Sequence, residues 1–241
     1  MRYFGGKARI AKDLSKFINE NYLKGNTKPF VDLFCGSCNI TTKIDKDRLI
    51  IANDKHKYLM EMWKALQKGW IPPKDCTEEQ YKIVLKNLDI KPYVSGFIGF
   101  GCSYSGKWLG GYCRDNIGRN YCLNAHNSVL KKINEMKDVI FTSTNYNEVD
   151  IPLDSIVYCD IPYKNTTQYS NKEVGKFGHN EFYDWVRKNH SKYTILISEY
   201  ECNVPDDFEV IWKKESKQDI RSNNGKMKTV EILMVYKGGN K

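Results

Sequence analysis

The heptapeptide V-Y-C-D-I-P-Y, residues 157–163, puts side by side residue types that suit one kind of chemistry. Asp160 can accept hydrogen bonds on both carboxylate oxygens. Pro162 biases Ile161 toward an extended backbone, which presents the Ile161 carbonyl and keeps it out of a helix. Tyr163 offers a flat face for stacking. Two acceptors and a ring make a clamp for a planar aromatic amine, such as the exocyclic group of adenine or cytosine. The lone pair of that nitrogen is delocalised into its ring, so it is a poor nucleophile. Two acceptors would draw it toward tetrahedral geometry and stabilise the positive charge that grows as it attacks. A base inside a duplex reaches such a clamp only when flipped out. The same residues also read as a strand-end aspartate capping a turn, with the tyrosine in the core.

A second constellation lies upstream. In F-V-D-L-F-C-G-S-C-N, residues 30–39, an apolar strand runs into a turn at Gly36. Glycine there lets a ligand approach the backbone closely, and in open α/β sheets ligands sit outside the carboxyl ends of strands. The next strand, I-I-A-N-D, ends on Asp54, about 20 residues further on, where nucleotide-binding folds place the carboxylate that holds ribose hydroxyls. Plain alternatives are a strand-to-helix turn at Gly36 and a helix cap at Asn53 or Asp54. Together the two features point to a nucleoside-like cofactor, and the absence of G-x-G-x-x-G disfavours a dinucleotide.

These groups need a scaffold that ends strands side by side. Seven runs read as strands: Phe30–Phe34, Leu49–Asn53, Val139–Thr142, Ile156–Cys159, Tyr193–Ser198, Phe208–Lys213 and Val230–Tyr236. Most are continuously apolar, as in a parallel sheet covered on both faces. Helical stripes lie between them: Ile10, Leu14, Phe17 and Ile18; Leu59, Met62, Trp63 and Leu66; Val129, Leu130, Ile133 and Met136. Alternation of this kind predicts an α/β fold. The last two runs have no helix between them, which predicts an antiparallel hairpin at one end of the sheet. Residues 56–137 break the alternation and read as an insertion, helical at first and then rich in glycine and aromatics.

The 241 residues carry 41% hydrophobic and 13% aromatic side chains, which is globular, and a net charge of +9, which favours an anionic partner, nucleic acid before membrane surface. No apolar run approaches the roughly 18 residues of a spanning helix, and no secretory signal opens the chain. A cytoplasmic protein is expected, with its eight cysteines as thiols. Cys35 and Cys38 form a lone C-x-x-C with no second pair, so small packing residues in a tight turn are expected there, and no metal.

In motif order the chain resembles the Dam-like DNA adenine N6-methyltransferases. R-Y-F-G-G-K is similar to that family's K-W-A-G-G-K, D-L-F-C-G-S to E-P-F-x-G-x-G, A-N-D-K to its acidic ribose-binding motif, and D-I-P-Y to the catalytic D-P-P-Y. I-S-E-Y and R-S-N-N-G-K-M-K-T-V-E-I-L-M-V-Y resemble its last blocks. The resemblance implies a Rossmann-like methyltransferase sheet, seven-stranded and mostly parallel, at 1–55 and 138–241, with a largely helical target-recognition domain inserted at 56–137. It implies S-adenosylmethionine as methyl donor, leaving as S-adenosylhomocysteine, and no metal. Tyr3, Lys7, Phe34, Gly36, Asp54 and Asp160 fall on the cofactor side, with Lys7 toward the methionine carboxylate and Asp54 toward the ribose. Asp160, Ile161, Pro162 and Tyr163 fall on the catalytic side. Two departures stand out. Ile161 replaces a proline, where the needed group is a backbone carbonyl that isoleucine also has, though with more backbone freedom. Cys38 replaces the second glycine of the turn motif, which calls into question a close backbone approach at that point.

The implied partner is double-stranded DNA, methylated at adenine N6 by a monomer or weak dimer that does not engage a membrane. The insertion interleaves Lys107, Trp108, Tyr112, Arg114, Arg119 and Tyr121. Arginine pairs with guanine edges, and rings can fill the space of an extruded base. Arg114 in G-G-Y-C-R-D-N resembles a family stretch that contacts a base, which leaves G-A-T-C among the candidate targets. Arg2, Asn223, Lys226 and Lys228 complete the candidate DNA contacts, the two lysines in the loop before the last strand. Two rival readings keep the fold. One methylates another amino group, on cytosine N4, RNA or protein. The other is a catalytically weak DNA-binding relative.

Overall fold

The computed structural model describes residues 1–114, 117–164, 175, 177–222 and 225–238, without the side chains of 216–229. Every apolar run singled out above is a strand: β1 Phe30–Asp32, β2 Ile50–Asn53, β3 Ile140–Thr142, β4 Ile156–Cys159, β5 Thr194–Tyr200, β6 Phe208–Ser222 and β7 Gly225–Tyr236. They form one seven-stranded sheet in the order β3-β2-β1-β4-β5-β7-β6. The first five pair in parallel, and β7 runs antiparallel to both β5 and β6. The expected α/β class with a mostly parallel sheet and a terminal hairpin is what the chain adopts.

The hairpin is longer than the apolar pattern suggested. Pairing continues to Ser222↔Gly225 through polar residues, with irregularities between Val210 and Trp212 and between Glu215 and Asp219. Backbone pairing in an antiparallel ribbon needs no apolar side chain, so hydrophobicity marks only the part lying on the core. Lys226 and Lys228 therefore sit in a strand, opposite Arg221 and Asp219, and not in a loop.

Strand alternation sorts side chains to two faces. Phe30, Ile50, Ala52, Ile156, Tyr158 and Leu196 join one buried cluster; Val31, Ile51, Val157, Cys159, Ile195 and Ile197 join another. Helices α1 Ala11–Ile18, α2 Lys57–Gln67, α4 Pro92–Gly101 and α5 Tyr121–Ile133 contribute to the first cluster, and α6 His179–Asn189 covers the second through Phe182, Tyr183 and Val186. The stripes are buried as the periodicity requires: Leu14 and Ile18 on α1, Leu59, Met62, Trp63 and Leu66 on α2, Val129 and Ile133 on α5.

Among the described residues, the segment 56–137 holds four α-helices, α3 being Glu78–Lys86, which opens with a capping box between Thr77 and Gln80. Its buried residues are continuous with the sheet-facing cluster. Helix α4 lies unusually close to its neighbours. A Cβ on Gly96 would fall 2.0 Å from the Tyr58 carbonyl oxygen, and one on Gly99 would fall 2.3 Å from the Trp108 ring. Trp108 stacks on Tyr58 at 5.2 Å and meets His56 edge-on. It is therefore a core side chain and not a ring that could enter DNA.

Candidate active site at the carboxyl ends of the parallel strands

The strand order fixes where a ligand can sit. The chain runs β1, β2, β3 outward in one direction, then returns to place β4 on the other side of β1. That reversal leaves a crevice beyond the carboxyl ends of β1 and β4. Asp32 ends β1, Asp54 follows β2 and Asp160 follows β4, so three carboxylates converge on the crevice. Asp32 is buried, with one oxygen accepting from Thr41 Oγ1 at 2.6 Å and the other, Oδ1, without a hydrogen-bond partner. Burial, reinforced by Asp160 and Asp54, pushes its pKa up to about 7.

Lys7 is the cation set against these acids. Its ammonium lies 2.8 Å from Asp160 Oδ1 and 3.5 Å from Glu231 Oε2, and 4.0 Å above the Tyr163 ring centre. Burial alone would lower the Lys7 pKa, but the Asp160 and Glu231 carboxylates outweigh it and raise it. Burial likewise pushes Asp160 up, against the pull of Lys7. The Tyr163 hydroxyl donates to Glu231 Oε2 at 2.6 Å, and the Tyr200 ring meets the Tyr163 ring edge-on at 4.5 Å. Ile161 is 2% exposed, in the apolar cluster on the other side of the sheet, so the group it can offer a ligand is its main-chain oxygen. Pro162 O accepts from His179 Nε2 at 2.8 Å, and the Lys164 amide donates to Glu199 Oε2 at 3.0 Å, so the D-I-P-Y segment is held from α6 and from β5.

The glycine turn and Asp54 meet directly. The Gly36 amide donates to Asp54 Oδ2 at 3.0 Å and the His56 amide to Oδ1 at 2.9 Å. The helix cap expected at Asn53 or Asp54 falls instead on His56, whose ring nitrogen accepts from the Leu59 amide, and each Asp54 oxygen keeps a second lone pair at a half-buried position. Gly36 has φ +47°, and a Cβ there would lie 2.9 Å from Tyr3 Cε1, so Tyr3 packs against the turn. Trp63 Nε1 donates to the Gly36 carbonyl at 3.1 Å. Cys38 adopts φ +55° despite its Cβ, so the chain makes the turn that a second glycine would make easily. For a residue with a side chain this costs about 1–2 kcal/mol. Lys132 of α5 donates to the Ser37 carbonyl and, at 2.7 Å, to Asn39 Oδ1. Burial lowers its pKa to about 8. Phe34 is half-buried and meets the rings of Tyr146 and Phe177, both at 5.7 Å.

The structure thus gathers Tyr3, Lys7, Phe34, Gly36, Asp54, Asp160, Ile161, Pro162 and Tyr163 at one end of the sheet. Sequence reasoning missed Glu231, Glu199, His179, Trp63 and Lys132. The only signal for Glu199 and Glu231 was their place in the I-S-E-Y and T-V-E-I blocks, and the others carried none.

The candidate DNA contacts are dispersed by comparison. Arg2 lies over the Tyr121 ring at 4.7 Å, and Lys107 over the Phe4 ring at 4.5 Å. Arg114 is exposed and forks onto Glu78, at 3.0 and 2.6 Å. Arg119 is exposed. Tyr112 is half-buried and donates to the Cys76 carbonyl at 2.8 Å. Asn223 and the side chains of Lys226 and Lys228 lie outside the described residues. Among the described residues no group of three or more His, Cys, Asp or Glu side chains could hold a metal ion, and no helix is long and apolar enough to cross a membrane.

The fold and site define a doubly wound α/β protein whose acidic strand ends surround a glycine turn and one buried lysine. Residues 3–93 match the model of the D12 class N6 adenine-specific DNA methyltransferase family, the kind of enzyme whose motifs the sequence resembles. No curated protein matches the chain. Among solved structures, the rRNA methyltransferase aviRa from Streptomyces viridochromogenes is similar over 96% of this chain and 85% of its own, at 11% identity and TM-score 0.44. A putative RNA methyltransferase, PH1948 from Pyrococcus horikoshii, is similar over 95% and 83%, at 11% identity and TM-score 0.43.

Proposed function

We propose that the protein transfers a methyl group from S-adenosylmethionine to N6 of an adenine flipped out of double-stranded DNA. The observation that carries this reading is the position of the Lys7 ammonium, 2.8 Å from Asp160 and 4.0 Å over the Tyr163 ring. A cationic nitrogen already rests where an acceptor and a ring converge. That is the environment a base nitrogen needs as it gains positive charge. The family match over residues 3–93 supports adenine as the base and DNA as its carrier.

The donor set around Gly36 fits the cofactor. Asp54 retains lone pairs for a ribose diol, and the half-buried Phe34 and Tyr146 rings offer apolar surface for a purine. When bound, S-adenosylmethionine supplies the electrophilic methyl group. Asp160 accepts from the adenine amine through one oxygen, and the Ile161 carbonyl accepts its second hydrogen. Tyr163 supports the base plane. Residues 1–55 and 138–241 carry this chemistry, and 56–137 carries target reading.

The test is to incubate duplex DNA with the protein and isotopically labelled methyl donor, digest to nucleosides and identify the label by mass spectrometry. N6-methyldeoxyadenosine is expected. Label in N4-methylcytosine, in RNA or protein supplied in parallel, or nowhere, would refute the reading.

A further inference from the structure

Cys38 stands at φ +55°, a left-handed conformation that a residue with a side chain holds only where its surroundings enforce it. The residues flanking it share one partner. Lys132 Nζ donates to the carbonyl of Ser37 on one side and to Oδ1 of Asn39 on the other. This ammonium belongs to α5, and it crosses 95 and 93 positions of sequence to reach the turn. The turn also holds itself, and Cys38 is buried in the core. The Cys38 amide donates to Cys35 O at 2.7 Å, and Asn39 Nδ2 to Ser37 Oγ at 3.0 Å. A bridge that joins the residues before and after a strained one resists the rotation that would relieve the strain.

We infer that Lys132 is a positioning residue for the cofactor turn: it clamps Ser37 and Asn39 so that Cys38 can stand where a glycine would otherwise be required. The clamp also ties the turn to α5, so the inserted helices and the cofactor side share a rigid joint. The inference rests on the methyl-donor reading for its consequence on ligand binding, and the bridge itself can be tested without any ligand.

The experiment compares wild type, Lys132→Met, Cys38→Gly and the double variant in two measurements. In the first, hydrogen exchange at the amides of residues 36–39, Lys132→Met is expected to exchange at least about tenfold faster than wild type. In the second, S-adenosylhomocysteine binding by calorimetry, Lys132→Met is expected to bind about tenfold more weakly. That loss should shrink to less than about threefold when the background is Cys38→Gly, since glycine needs no clamp. Should Lys132→Met not fold, Lys132→Gln, whose shorter amide cannot span both acceptors, takes its place. Unchanged exchange in the variant, or equal losses of affinity in both backgrounds, would overturn the inference. Wild-type protein that binds no S-adenosylhomocysteine would refute the methyl-donor reading instead, and the exchange measurement would still decide the clamp.

Discussion

The strand-end cluster and the surface of the inserted helices solve opposite problems. At the strand ends, Lys7 of the amino-terminal arm, Asp160 after β4 and Glu231 of β7 meet within 3.5 Å, largely shielded from water. On the insertion, Arg114 is spent on Glu78 and Lys107 on the Phe4 ring. The first region is organised in advance. To engage DNA as proposed, the second would exchange internal partners for external ones. Preorganisation of acceptors is what accelerates a transfer, whereas exposed ion pairs cost little to trade. The contrast fits the proposed division, with chemistry in the first region and target reading in the second.

The sharpest break in that contrast lies at Asp32, where burial has a large price in charge. With its carboxyl raised from 3.8 to about 7, the folded state holds this proton more tightly than the unfolded chain. Its contribution to stability is therefore full below pH 4 and is lost as pH rises through about 7, by about 4 kcal/mol. Asp32→Asn keeps an acceptor for Thr41 and removes the titration. Denaturant melts from pH 4 to 8 should show the variant gaining on wild type by roughly that amount as pH rises. A constant gap would show that Asp32 is not a strained acid.

Packing supplies the next largest effect. Gly96→Ala must push α4 off the Tyr58 carbonyl and should cost about 1–3 kcal/mol of stability in the same melts. Loss of DNA affinity well beyond what that instability explains would show that α4 also shapes the reading surface.

The smallest effect concerns the inserted helices. Arg114→Ala should leave stability within about 0.5 kcal/mol, because its pair with Glu78 is exposed. It should weaken binding to duplex DNA about tenfold, as one lost base contact of about 1–3 kcal/mol would. Fluorescence anisotropy checks it, and unchanged affinity would remove Arg114 from the interface.

Much of the architecture was legible because burial on both faces leaves apolar runs with little ambiguity. Ile156–Cys159 was read to the residue, and the Leu59, Met62, Trp63 and Leu66 stripe lies wholly inside. Asp160 and Asp54 were legible because each ends such a run. What escaped was what only folding brings together. Glu231 meets Tyr163 across 68 positions and Lys132 meets Ser37 across 95. In sequence Lys132 is an ordinary surface-type charge, and Glu231 is marked only by its T-V-E-I block. Trp108 misled for the converse reason: its cationic neighbours suggested a DNA-facing ring, while Gly99 makes room for it in the core. Cys38 showed that a missing glycine need not mean a missing turn, because the rest of the fold can enforce the conformation.

The most direct test of the account is methyl transfer by Asp160→Ala, measured in a single turnover alongside its affinity for duplex DNA. Loss of one acceptor for a developing positive charge should slow transfer by at least about 10²–10³-fold while DNA binding persists. Transfer at the wild-type rate would contradict the account, because an ordinary strand-end aspartate would then explain everything this one does.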